Sequence, residues 1–285
     1  MSIPKPLGFI FFDMGRPLIL SASRRTDLPG FHPEACADRI RLRMGRLRTR
    51  RLVAVVFWTR HTKSFLAGGA LHRLVTTELK NPFVQLTITG LGNSPIEPNT
   101  PPTNTILSDL PQLVKAFHGE PWRIRWRFDP LLKGLTSLET FYKIGKSMSE
   151  VGICTCTFSY PSYFSLKGDL TPHFKAAGIP RWNEAEQRDF LGEMARISAT
   201  LGITLYACSQ PKIAAWHPDV HPAECISRGL IERGDPKGET LCLPKDRSQR
   251  THCLCVESED IGDYIADRCH GGCVYCYSKA GGPNQ

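Results

Sequence analysis

The run Leu52-Val53-Ala54-Val55-Val56-Phe57-Trp58, followed at once by Thr59-Arg60-His61, decides how the chain is read. Its β-branched and aromatic residues mark a short buried strand, and the polar residues after it mark the strand's end. Five more segments have the same character: 18–23, 83–89, 122–128, 153–159 and 203–208. Helix-like stretches lie between them, at 33–47, 107–117, 137–151 and 183–201. Pro33 suits a first helical position. Asn183, with Glu186 three residues on, reads as a capping box, and Gly202 as the stop of the same helix. Residues 92–106, rich in Pro, Asn and Thr, read as a surface loop.

Strand alternating with helix implies an α/β fold with a parallel sheet and right-handed crossovers. Six units fit a partial (β/α)6-like barrel of TIM type; a doubly wound sheet is the alternative that periodicity does not separate. In both, the site lies beyond the carboxyl ends of the strands. Those ends carry Arg24, Arg25 and Asp27 after the first strand and Arg127 and Asp129 after the fourth. These five are the expected catalytic residues of the mouth, suited to an anionic ligand, although Arg127 and Asp129 also read as a structural ion pair. After about residue 209 periodic helix fades and Pro, Gly and Cys become frequent. The expected division is a barrel-like domain over 1–208 and a loop-rich, metal-organised extension over 209–285, packed on the barrel mouth.

The chain has 285 residues, 41% hydrophobic and 22% charged, a globular balance that excludes disorder as the main state. No apolar run approaches the roughly 18–20 residues of a membrane span. The run 7–12 is ended by Asp13 and is too short for an export signal, so a cytoplasmic protein with no membrane partner is expected. Lys and Arg number 36 against 27 Asp and Glu, a net charge of +9, which suggests anionic partners, nucleic acid foremost. The arginine-rich stretch Arg39, Arg41, Arg43, Arg46, Arg48, Arg50 and Arg51 fits phosphate contacts or, spread round its helix, a solvated face.

Eleven cysteines, an odd number without an export signal, favour metal or redox chemistry over disulfides. The strongest motif is Cys269-His270-Gly271-Gly272-Cys273-Val274-Tyr275-Cys276, spaced C-x3-C-x2-C. Three thiolates this close suit three irons of a [4Fe–4S] cluster and leave the fourth without a protein ligand from the motif; zinc is the alternative. Cys208, Cys225, Cys253 and Cys255 supply four further ligands, enough for a second, closed cluster or zinc site; the plainer reading makes Cys208 and Cys225 buried apolar residues. Cys36, Cys154 and Cys156 read as packing residues, and Cys242 as a weak substitute ligand.

The motif resembles that of the radical S-adenosylmethionine (radical SAM) enzymes, C-x3-C-x-aromatic-C, with Tyr275 at the aromatic position. The trailing Tyr277 is similar to members whose motif continues Cys-Tyr. Most of that superfamily carries the motif after the first barrel strand; here it lies near the C-terminus. The wider chain resembles a bacterial and archaeal family known as domain of unknown function 1848. The likeness rests on 21–27, Phe57-Trp58-Thr59, 126–130, Lys245-Asp246 with Gln249-Arg250, and the run from Cys253 through Asp260-Ile261-Gly262 to Tyr277. The resemblance implies that Cys269, Cys273 and Cys276 hold the catalytic cluster and that Tyr275 belongs to the cofactor site. It implies SAM as cosubstrate, cleaved reductively to a 5′-deoxyadenosyl radical, and a reductant such as a ferredoxin or flavodoxin. The contrasting expectation, from charge, is a non-catalytic nucleic-acid-binding protein with structural zinc or iron–sulfur sites.

Overall fold

All six apolar runs form strands in the computed structural model, which describes residues 15–276 apart from 48, 166, 167, 236, 238, 239 and 264. The run 7–12, Arg48 and Tyr277 lie outside the described residues. The strands are β1 (Arg16–Ala22), β2 (Arg50–Thr59), β3 (Pro82–Thr87), β4 (Ile124–Phe128), β5 (Thr155–Phe158) and β6 (Thr204–Ala207). Two short strands from the C-terminal segment, β7 (Val220–Pro222) and β8 (Glu259–Asp260), extend the sheet at its two edges. The eight run parallel in the order β8-β1-β2-β3-β4-β5-β6-β7. β4 begins two residues later than its apolar run, because Pro121–Arg123 form a 3₁₀ turn led by proline.

The helices between strands are α1 (Pro33–Gly45), α2 (Thr103–Ala116), α3 (Leu138–Glu150) and α4 (Glu184–Leu201). Between β2 and β3 the chain makes only a 3₁₀ turn, Lys63–Phe65, and a π-helical turn, Leu74–Glu78. α2 starts at Thr103, four residues before the expected position, because its buried stripe of Ile106, Leu110 and Leu113 reaches back one more turn. The capping box of α4 forms as its sequence indicates: Asn183 Oδ1 accepts from the Glu186 N–H and Glu186 Oε2 accepts from the Asn183 N–H, both at 2.9 Å. Gly202 ends the helix at a left-handed φ of 65°.

Alternation along the strands divides the sheet's side chains between two faces. One face packs on the helices: Val55, Phe57, Leu86, Trp126, Phe128 and Phe158 meet Ile40, Leu110, Phe141, Ile144 and Leu191. Trp126 stacks on Phe141 with ring centres 5.2 Å apart. Burial of each such side chain contributes about 1.5–3 kcal/mol. The opposite face, with Ile19, Ala54, Val56 and Phe83, is covered by the C-terminal segment through Ile226, Ile231, Leu241, Leu243 and Val256. On β4 this face carries Arg125 and Arg127, both buried; Arg125 lies over Tyr206 at 4.9 Å and Arg127 over Trp58 at 5.4 Å. Among the described residues no helix is long and apolar enough to cross a membrane.

Asn81 joins the sheet to its C-terminal cover. Its amide donates to the Val53 carbonyl at 2.9 Å and the Ile231 carbonyl at 3.0 Å, and its carbonyl accepts from Arg123 Nη1 at 2.6 Å. Asn81→Ala strands all three buried partners and is expected to lower unfolding stability by about 2–3 kcal/mol. Urea denaturation followed by tryptophan fluorescence measures it; an unchanged midpoint would show that the cover is held elsewhere.

Candidate functional site

The site stands beyond the carboxyl ends of the strands. Asp27, just past β1, is its organising carboxylate. Oδ1 accepts from Thr59 Oγ1 at 2.6 Å and the Gly30 N–H at 2.9 Å; Oδ2 accepts from the Arg60 N–H at 2.8 Å and contacts His61 Nδ1 at 3.0 Å. Four contacts occupy both oxygens, so Asp27 clamps the β1 loop to the end of β2. Gly30 is obligatory there: a Cβ would come within 2.3 Å of His61 Nδ1.

The C-x3-C-x2-C loop rests on this clamp. The backbone N–H groups of Asp27 and Gly271 face the Cys269 sulfur. A Cβ on Gly271 would lie 3.5 Å from Cys269 Sγ and 3.6 Å from Cys273 Sγ, so these two sulfurs flank one stretch of backbone. Residues 96–99 hold the loop from the other side: the Val274 N–H donates to the Ile96 carbonyl at 3.0 Å, and Asn99 Nδ2 to the His270 carbonyl at 2.7 Å. Tyr275 anchors it. Its hydroxyl donates to Glu97 Oε1 and accepts from Arg60 Nη2 at 2.6 Å, while Arg60 Nη1 meets Glu97 Oε1 at 3.0 Å. Glu97 is 2% exposed, with Thr89 Oγ1 donating to it at 2.7 Å. The loop 92–106, expected on the surface, is therefore in part a buried support: Pro and Asn signal turns but say nothing about burial.

Burial pushes the Cys273 thiol up to about 11 against the pull of Arg60, and burial likewise raises Cys269. Buried thiols of this kind ionise when a metal's charge outweighs the loss of solvent. The donor set is soft and the three cysteines share one half-buried loop, so the residues fit a thiolate-bound iron–sulfur group.

The other four cysteines meet on the sheet face opposite the helices. Cys208 follows β6, Cys225 follows β7, and Cys253 and Cys255 lie on the covering segment; all four are buried. Cys225 neighbours Cys208 and Cys255, and Cys255 neighbours Cys253. The Cys255 thiol donating to it pulls Cys253 down to about 6. Arg127 Nη1 donates to Cys225 Sγ at 3.0 Å, and Arg250 Nη2 to Cys208 Sγ at 3.4 Å. Among the described residues, no three His, Cys, Asp or Glu side chains are arranged to hold a metal ion as they stand.

The five residues expected at the mouth therefore separate. Asp27 supports the 269–276 loop. Arg127 pairs with Asp129, which also accepts from Ser159 Oγ at 2.5 Å, and this pair belongs to the Cys225 side. Arg24 lies over Trp58 at 5.3 Å with Nη1 3.8 Å from Asp246, and Arg25 is exposed. Arg60 and Glu97 were not singled out by sequence; the only trace was the polar end of β2, and nothing local joins it to Glu97. Cys36 and Cys156 are buried in the helix-side core, and Cys154 and Cys242 are exposed. In the arginine-rich stretch, Arg39 pairs with Asp267, Arg41 with Glu78, Arg43 and Arg50 with Glu259, and Arg51 with Asp235.

The family described as Domain of unknown function (DUF1848) matches residues 19–278. A comparison with curated proteins finds no match. Similar solved structures include a D-hydantoinase, 14% identical with a TM-score of 0.33, covering 70% of this chain and 45% of that one. Another is the carboxyl transferase domain from Rhizobium etli pyruvate carboxylase, 13% identical with a TM-score of 0.33, covering 74% of this chain and 40% of that one. The chain spans less than half of either, and likenesses this remote carry no argument.

Arg60→Ala leaves the buried Glu97 carboxylate without its cation, a cost of about 3–5 kcal/mol. The expected result is release of the 269–276 loop with the sheet intact: faster alkylation of Cys273 at unchanged far-UV circular dichroism. Equal alkylation rates in variant and wild type would show that the ion pair does not hold the loop.

Proposed function

The chain belongs to the DUF1848 family, and from the residues gathered at its strand ends we propose that it is an iron–sulfur enzyme of the radical SAM type. One observation carries the proposal. Cys269, Cys273 and Cys276 share a loop that Asp27 and the Arg60–Glu97–Tyr275 group seat at the carboxyl ends of parallel strands. That strands β1 to β7 lie in sequence order, with the helices on one face, supports reading the sheet as part of an open (β/α)6-like barrel of TIM type.

Cys269, Cys273 and Cys276 are the residues that would hold the cluster. When bound, a [4Fe–4S] group supplies the single electron that cleaves SAM to a 5′-deoxyadenosyl radical. The remaining work falls to the chain. The N–H groups of Asp27 and Gly271 stabilise negative charge on the Cys269 sulfur. Arg60 offsets charge at Cys273. Tyr275, its hydroxyl committed to Glu97 and Arg60, fixes the loop and covers the site from water. Arg25, exposed beside the clamp, is suited to the carboxylate of SAM or of an anionic substrate. A ferredoxin or flavodoxin is the electron donor in this scheme, and the cytoplasm its place. The nucleic-acid-binding alternative is weaker: the arginines that motivated it are largely spent on internal ion pairs.

The test is anaerobic. Protein reconstituted with iron and sulfide, then reduced, is expected to form 5′-deoxyadenosine from SAM. Cys273→Ala is expected to reduce this to background while keeping the wild-type near-UV circular dichroism. Product at wild-type level in that variant, or stoichiometric zinc and no product in the wild type, would overturn the proposal.

A further inference from the structure

We propose that Cys208, Cys225, Cys253 and Cys255 form a second, four-thiolate site for a thiophilic metal, buried on the sheet face opposite the helices. The site shares no ligand with the 269–276 loop and does not depend on how that loop functions.

The juxtaposition is the first observation. Three separate segments deliver the four cysteines to one place: the end of β6, the turn after β7, and the C-x-C pair of the covering segment. All are at most 9% exposed. Free cysteines pack readily as small apolar residues, and Cys36 and Cys156 do so among aliphatic and aromatic neighbours. This group is different, because arginine side chains donate hydrogen bonds to two of its sulfurs.

Arg127 and Arg250 donate to its sulfurs, and the charge of Arg24 acts on Cys253 and Cys255. Asp129 and Asp246 are the carboxylates facing these arginines. Four thiolates around zinc, or around a [4Fe–4S] cluster in its oxidised state, form a dianion, and the guanidinium groups of Arg127 and Arg24 stand where they offset it. Arginine donating to such sulfurs is also a stronger contact than arginine donating to a thiol.

Orphaned polar atoms on the same face are an independent observation. Gln85 Oε1 and Thr157 Oγ1 are buried without a hydrogen-bond partner, in residues that are each 0% exposed. Gln85 Nε2 donates to the Cys225 carbonyl at 2.6 Å, and Thr157 is paired in register with Arg127 and Tyr206. A face built only for apolar packing would not retain them. The cover itself has little regular structure beyond the short helix Arg228–Gly234, and a metal bound by all four cysteines would tie it to the ends of β6 and β7. Loading forms metal–sulfur bonds and releases the remaining thiol protons to solvent.

The test removes the first site and asks what metal remains. Full-length Cys269→Ser/Cys273→Ser/Cys276→Ser is purified anaerobically, incubated with ferrous iron and sulfide or with zinc, desalted, and assayed for iron, zinc and acid-labile sulfide. The expected result is one retained centre per chain, either about four irons with sulfide or about one zinc. Iron with sulfide identifies a cluster, and zinc without sulfide a mononuclear site. Adding Cys225→Ser should remove it. A folded triple variant with no stoichiometric metal would overturn the proposal, as would full metal content after Cys225→Ser. Should that fourth substitution prevent folding, alkylation of the triple variant decides. The proposal expects metal to protect Cys208, Cys225, Cys253 and Cys255; equal labelling with and without metal would contradict it.

Discussion

The Arg60 guanidinium and the Glu97 carboxylate meet at 3.0 Å behind Tyr275, and the arrangement of the mouth depends on that pair. Taking both charges out of water costs several kcal/mol each, and only close geometry with further hydrogen bonds repays it. Glu97 has them from Thr89, Thr100 and Tyr275. Arg60 has Tyr275 as well, and the acids around it hold it protonated against burial. The partners come from the end of β2, the loop after β3 and the C-terminal loop. They meet only when parallel pairing has set β2 beside β3 and the chain has returned over the strand ends. Closing the loop thus completes the pair, and completing the pair seats the cysteines.

The two faces of the sheet differ. Helices cover one face with apolar side chains. The other presents Arg125 and Arg127 from β4 and is covered by a segment with little regular structure. Strand periodicity makes this separation unavoidable: in β4, with Trp126 committed to the helix-side core, its neighbours Arg125 and Arg127 must point the other way. The C-terminal segment therefore does more than cap the mouth. It adds β7 and β8 at the two sheet edges, fills the second face, and supplies six of the seven cysteines in the two groups.

What the sequence made legible was local. The six strands announce themselves as dense apolar runs with polar ends, and α4 declares both its termini through Asn183, Glu186 and Gly202. The C-x3-C-x2-C loop is visible because its ligands are near neighbours in sequence. What escaped was tertiary. Arg60 and Glu97 lie 37 positions apart and signal nothing separately. Asp27 reads as a free acid at a mouth, yet both its oxygens are used as a clamp. β7 and β8 are too short for periodicity to reveal, and residues 92–106 look like surface because turn chemistry is blind to what the turn covers.

Electron paramagnetic resonance of the reduced, reconstituted protein with and without SAM tests the central claim most directly. In the proposed scheme the three-cysteine loop leaves one iron open to SAM. The expected result is a cluster signal whose g-values shift when SAM is added, and loss of that SAM-sensitive component on Cys273→Ala. A cluster spectrum unaffected by SAM would contradict it and make the loop a closed redox or structural centre.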